Sequence, residues 1–162
     1  MTYSNVHVEN VAMTAAGLAI KAGGSAVVKH ANTIMCKANG IVGTPKATAD
    51  CPSLSTSKSA GPNGGSAVTN IPTLKARYFT LLADVNGTTS AVTLSWVHGQ
   101  DFSEITDIGR TQYIERGDIS KAIIGYVCII NGTAADFIPG TTVLDVALSA
   151  VVYQDAFGFV GA

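Results

Sequence analysis

Three histidines (His7, His30 and His98), three cysteines (Cys36, Cys51 and Cys128) and the carboxylates of Glu104, Asp107 and Asp118 are the side chains of this 162-residue sequence best suited to chemistry. Catalysis or metal binding needs such groups to converge, and their spacing gives no sign of it. No histidine has a second one three or four residues away, so the helical metal-binding patterns are absent. A cluster of His30, Cys36, Cys51 and His98 could be imagined around zinc, but the spacings fit no zinc arrangement. An odd number of cysteines without a CxxC pair argues against both a disulfide framework and a zinc ribbon. Buried, reduced thiols are expected instead.

Other motifs dissolve on inspection. Ser55 and Lys58 satisfy S-x-x-K, the acyl-enzyme motif of penicillin-binding folds, yet the companion K-T-G and S-D-N boxes are missing. "GPNGGS" (61–66) has the glycines of a phosphate loop, but no strand leads into it and no G-K-[ST] closes it. Glu104, Asp107 and Asp118 could supply paired carboxylates for acid–base work on a glycan. Beside Arg110 and Arg116, a solvated and internally paired surface is the simpler account. No catalytic, cofactor-binding or metal-binding residue is assigned, and no cofactor is expected.

The elements around these residues read as strands. Half of the eight asparagines precede glycine (Asn39, Asn63, Asn86 and Asn131), and Asn-Gly between apolar or alternating runs is the strongest short hairpin signal. In "LLADVNGTTSAVTLSW", a two-residue Asn86-Gly87 tip places Val85 opposite Thr88, Leu81 opposite Val92, Phe79 opposite Leu94 and Arg77 beside Trp96. One face is then apolar and the other, with Tyr78, Thr80, Thr93 and Ser95, carries hydroxyls, as a half-buried antiparallel pair requires. Arg77 and Trp96 are placed for a cation–π contact. Trp96 reads as core, with a sugar-stacking platform as the alternative, and His98 closes its strand.

Around Asn39-Gly40 the strands are "NTIMCKA" and "IVGTPKA". Around Asn131-Gly132 they are "AIIGYVCII" and "TAADFI", which sets Tyr126 opposite Phe137. "AIIGYVCII" is apolar on both faces and is expected to be a central strand; "DVALSAVVYQ" supplies the last one. Asn86 and Asn131 both satisfy the N-glycosylation pattern but are accounted for as turn residues.

Residues 44–73 hold four of the five prolines and read as a long loop. Residues 101–118 carry seven of the 21 charged residues and read as a solvated excursion with a helical turn near Ser103 to Ile108. The first 20 residues permit a short amphipathic helix, with Val8, Val11, Ala12, Ala15, Leu18 and Ala19 on one side. The expectation is an all-β, mainly antiparallel, hairpin-rich sandwich or barrel: an N-terminal arm (1–20), able to form a helix, followed by a single β domain (21–162).

The totals restrict partners. Net charge is −1 with dispersed Lys and Arg, unlike a nucleic-acid binder. "VAMTAAGLAI" lacks a basic start and is half the length of a membrane span, so a soluble chain without a signal peptide is expected. Charged residues make up 13% of the chain, about half the usual share of a soluble domain. Such a surface suits burial against other subunits or a large partner.

Two pieces, "GLAIKAGGSAVVKHANTIMCKANGIVGTPKATAD" and "AIIGYVCIINGTAADFIPGTTVLDVALSAVVYQD", resemble the two ends of a group of small virion proteins of tailed bacteriophages. That group has an Asp-Gly or Asn-Gly hairpin followed by "TKAAT", here "ANGIVGTPKAT". It also has F-x-x-G-T-T-x-L-D before an apolar strand ending in Tyr, here Phe137, Gly140 to Thr142, Leu144, Asp145 and Tyr153. The resemblance covers about half the chain, and the chain departs from it at 101–118 and in the 50–73 loop. It implies a phage structural protein made in the host cytoplasm: a head decoration or cement protein on the capsid surface, most often a homotrimer, whose partner is the major capsid protein. The arm, residues 1–20, is then the candidate for the capsid contact or for subunit exchange. The alternative is a tail or head-fibre module binding a host surface glycan through Trp96, Tyr113 and the long loops. A hydrolase using Glu104 or Asp107 ranks third, and an enzyme is not expected.

Overall fold

A computed structural model of the chain describes residues 10–59, 65–103, 120–132, 134–145 and 150–156. These residues are all-β, with a single short 3-10 turn, η1 (Leu54–Thr56), as the helical element among them. A six-stranded sheet forms the spine. It comprises β7 (Lys58–Ser59), β8 (Lys75–Val85), β9 (Val92–His98), β10 (Phe102–Ser103), β11 (Ala122–Ile130) and β12 (Ala150–Asp155). The order is β12-β11-β8-β9-β7, with β10 also pairing β8. Every pairing is antiparallel except that of β7 with β9. Two small antiparallel sheets come from the N-terminal part of the chain. One joins β1 (Val11–Ala12), β4 (Cys36–Ala38) and β5 (Ile41–Val42); the other joins β2 (Leu18–Ile20), β3 (Val28–His30) and β6 (Ala49–Asp50).

The two-residue alternation of a strand decides what each face of the spine carries. On one face lie Phe79, Leu81, Ala83 and Val85 of β8, Leu94 and Trp96 of β9, and Val127 and Ile129 of β11. Ala12, Leu18, Val28, Cys36 and Ala38 of the small sheets complete the same buried cluster, so the main core lies between two layers. The opposite face has a second cluster of Ala76, Phe102, Cys128 and Ile130. There the Tyr78 and Phe102 rings stack with centroids 5.4 Å apart. β11 is therefore central in the sheet, between β12 and β8, as its two apolar faces predict. Its register slips between Ile123 and Gly125. A Cβ at Gly125 would stand 2.5 Å from Leu18 Cδ1 and 2.6 Å from the Gln154 carbonyl oxygen, so only glycine admits this approach of β2 and β12.

The Asn39-Gly40 turn forms as the sequence predicts. Ala38 pairs with Ile41, and both turn residues have positive φ, 52° and 76°. The other two hairpins need correction. β8 and β9 do pair, but Leu81 faces Trp96, Phe79 faces His98 and Val85 faces Val92, with residues 86–91 as the connection. Asn86 Oδ1 accepts from the N–H groups of Thr88 and Thr89, Ser90 N–H donates to the Asn86 carbonyl, and Thr44 N–H donates to the Ser90 carbonyl. The longer, tethered loop displaces the two-residue tip. Arg77 consequently stands beside Ile129, away from Trp96, and the cation–π contact is not formed. Asn131-Gly132 does not turn β11 back on itself, because Phe137 bridges to Ile71 instead of facing Tyr126.

Residues 10–20 are strand segments rather than a helix, and Ala12, Ala16 and Leu18 are buried in the main core. The helical expectation for residues 1–9 lies outside the described residues. The 44–73 stretch is packed rather than free over its described part. It contains β6, η1 and β7, buries Cys51, Leu54 and Ile71, and bridges Lys46 to Ile34. Of the 101–118 excursion, Phe102 and Ser103 are strand where a helical turn was expected to begin, and 104–119 lie outside the described residues.

Candidate functional site

The buried polar groups are committed to holding the fold. Arg77 is 3% exposed. Its Nε and Nη2 donate to the two Asp101 carboxylate oxygens at 2.7 and 2.9 Å. Nη1 donates to the Thr69 carbonyl at 2.7 Å, and Nη2 also reaches Thr69 Oγ1 and the Asn70 carbonyl, both at 3.2 Å. One planar guanidinium thus fastens the 69–70 segment and Asp101 to β8. Asn131, also buried, donates its amide to the carbonyls of Ile71, Pro72 and Ala135. That explains why it is absent from a turn tip, and it leaves the amide poorly placed as a glycosylation acceptor.

His98 ends β9, as the sequence predicts, and its Nδ1 lies 3.1 Å from Ser57 Oγ in the buried interior. Burial, reinforced by the Arg77 charge and opposed by Asp101, lowers its pKa from 6.5 to about 4. The unfolded chain therefore binds this proton near pH 6.5 and the folded chain only near pH 4. His98 contributes stability above pH 6.5 that is lost as the pH falls through about 4. Urea denaturation midpoints should drop between pH 7 and pH 4.5, and the drop should be smaller in His98→Gln. Equal drops in the two proteins would exclude this source.

His30 is buried as well. Its Nδ1 donates to the Asn32 carbonyl at 3.0 Å, while Nε2 has no hydrogen-bond partner. The Cys36 and Cys51 thiols are pushed up by burial to about 11 and about 12, which keeps them protonated and unreactive. Cys36, Cys51 and Cys128 are all buried, as expected. His30, Cys36, Cys51 and His98 do not assemble a site: no group of three metal-capable side chains occurs among the described residues.

The remaining sequence candidates among the described residues also lack a chemical setting. Ser55 bonds Ser53 through both its hydroxyl and its N–H, whereas Lys58 lies exposed on β7. Trp96 is 2% exposed and donates Nε1–H to the Pro52 carbonyl at 2.7 Å, so it is core and presents no sugar-stacking face. An open depression beside it is lined by Lys46, Asp50, Cys51, Pro52 and Val92 to Leu94. Its acid, Asp50, is held by Lys21. His7, Glu104, Asp107, Arg110, Tyr113, Arg116, Asp118 and residues 61–64 lie outside the described residues. The Ser57–His98 pair and the Arg77–Asp101 pair carry no local sequence signal that distinguishes them from surface polar residues.

What the described surface offers is contact area. Met13, Val42, Leu74, Ile138 and Val152 are large apolar side chains left exposed. Leu74 is unusual in its backbone too. Lys75 N–H donates to the Pro72 carbonyl, closing a turn in which Leu74 has φ +58°, where glycine or asparagine is the normal occupant. An L-residue with a bulky side chain in this conformation costs roughly 1–2 kcal/mol, and the residue is left 52% exposed. Thr80, on the hydroxyl-bearing face that a half-buried pair would leave outward, is instead fully buried. No helix among the described residues is long and apolar enough to cross a membrane. No protein-family model, curated protein or solved structure matches the chain.

Proposed function

We propose that this chain is a phage structural protein, a decoration or cement subunit that binds the assembled head and bridges neighbouring capsid subunits. Its partners are the major capsid protein and further copies of itself, with a trimer favoured by the sequence resemblance. The observation that carries the reading is Leu74: strain and an exposed apolar side chain coincide in one turn, where a partner surface would bury the leucine and repay the strain. The low charge content and the inward commitment of Arg77, Asp101, Ser57 and His98 support a contact role over a chemical one. A subunit that binds only the assembled shell adds its binding free energy to shell stability by mass action. The glycan-binding alternative loses Trp96, which is buried.

Leu74→Asn tests the reading, since asparagine accepts positive φ. The variant should fold with unchanged or slightly higher thermal stability and bind purified expanded heads at least about tenfold more weakly, the loss of one well-packed apolar anchor. Wild-type protein that ignores heads would sink the proposal. Deleting residues 1–20, the expected capsid arm, is a poor substitute. It also removes β1 and β2 with the core residues Ala12, Ala16 and Leu18, so lost binding would report unfolding.

A further inference from the structure

Among the described residues, strand β12 ends the spine with one hydrogen-bonding edge unused. Ala156 N–H donates to the Ile124 carbonyl at 3.0 Å, which sets the alternation of the ladder between β11 and β12. Counting back two at a time, Gln154, Val152 and Ala150 exchange bonds with Tyr126, Cys128 and Ile130. The main-chain N–H and C=O groups of Val151, Tyr153 and Asp155 must therefore point away from β11. Among the described residues these outward groups have no main-chain partner.

Edges left open in this way are normally guarded by lysine, proline, a bulge or an inward charge. β12 reads AVVYQD and contains none of the first three. Its one charge, Asp155, is occupied elsewhere: the carboxylate accepts the N–H groups of Gly17 and Leu18 at 2.9 and 3.1 Å. The strand also presents Val152, 53% exposed, on the face opposite the main core.

We infer that β12 is a self-association edge, pairing antiparallel with β12 of a second copy of this chain about a two-fold axis at Val152. Self-complementarity selects this occupant. With Val152 on the axis, the outward groups of Val151 meet those of the second copy's Tyr153, and the reverse, giving about four main-chain hydrogen bonds. The two Val152 side chains then meet at the closely spaced, non-bonded position, where side-chain contact is greatest. Ala150 falls opposite Gln154, so no like charges face each other. A one-residue slip would break the bonding alternation. A two-residue slip would set Val152 against Ala150 or Gln154 and forgo the apolar pair. The inner faces also continue across the junction, since Val151 and Tyr153 pack against the main core in each copy.

One short strand pair falls below the ~1,000 Å² of a stable isolated interface, so association is concentration-dependent. It doubles whatever unit exists, a monomer to a dimer or a trimer to a pair of trimers.

Sedimentation of the full chain at high micromolar concentration tests the inference without heads, so its failure and that of the head-binding reading are distinguishable. The wild type should show twice the mass of Val152→Lys and of Val152→Asp. Both substitutions sit at an exposed site, and circular dichroism checks that the fold is kept. An equimolar mixture of the two variants should regain the doubled mass, because residue 152 faces itself and the mixture pairs opposite charges. Equal masses for the wild type and the single variants, or a mixture that stays at the lower mass, would overturn the proposal. Either result would direct the edge to a strand of another protein.

Discussion

Arg77→Met should destabilise the protein by about 3 kcal/mol, the low end for removing one partner from a buried ion pair, because Asp101 keeps 27% of its side chain exposed to water. Methionine fills much of the same space, so the loss isolates the guanidinium. Asp101 would keep its charge without a partner, and the carbonyls of Thr69 and Asn70 would lose their donors. The double variant Arg77→Met, Asp101→Leu should recover part of that loss, because no unpaired charge remains. Urea unfolding of the three proteins measures both statements. A single-variant effect below about 1 kcal/mol would mean that the pair behaves as an ordinary surface salt bridge.

Trp96→Ala should cost a comparable amount, about 3–5 kcal/mol, from the cavity left by a large buried ring. The ring lies on the core face of β9 opposite Leu81, and its indole N–H anchors the Pro52 carbonyl of the segment leading into η1. Trp96→Phe separates the two contributions. It keeps most of the packing and forfeits the hydrogen bond, for an expected loss of about 1–3 kcal/mol including the orphaned carbonyl. Thermal or urea denaturation reads both variants, and the alanine variant should also loosen residues 51–57, visible as faster amide exchange there. Unchanged exchange at Leu54 would separate Trp96 from the anchoring of that segment.

The class of fold was legible in the sequence because period-two patterning survives errors of register. The expected and observed pairings of β8 with β9 differ by an even number of residues, and an even slip leaves every side chain on its original face. Phe79, Leu81 and Trp96 were therefore assignable to the core even though their cross-strand neighbours were not. Turn chemistry was a weaker guide. Asn39-Gly40 turns tightly, and the Asn39 side chain makes no hydrogen bond among the described residues. The Asn86 side chain caps a longer loop, and the Asn131 amide is drawn to the carbonyls of Ile71 and Pro72 in a distant segment and of Ala135 nearby. Distant partners, Ile71 and Pro72 for Asn131 and Thr44 for the Asn86 loop, help decide between these outcomes, and a local window does not contain them.

The same limit hid the order within 44–73. Its prolines and serines resemble those of a free loop, but Cys51, Leu54 and Ile71 are isolated apolar anchors that seat the segment on the core. Those three residues were the available signal, and their spacing follows neither a helix nor a strand. Ser57 and His98 lie 41 positions apart, and only the parallel placement of β7 beside β9 explains their meeting. Of the contact surface, low charge content was readable from composition. The left-handed Leu74 was not, since leucine is a poor advertisement for positive φ.

The strand order carries a consequence for biosynthesis. β1 to β6 emerge from the ribosome first, yet they make only small sheets, and the residues they bury lie against β8 and β11. Until both β8 and β11 are translated, Ala12, Leu18, Val28 and Cys36 lack the full wall they pack on. The nascent N-terminal third must wait as sticky, unfinished chain, and quality-control factors have their longest access to this protein in that interval.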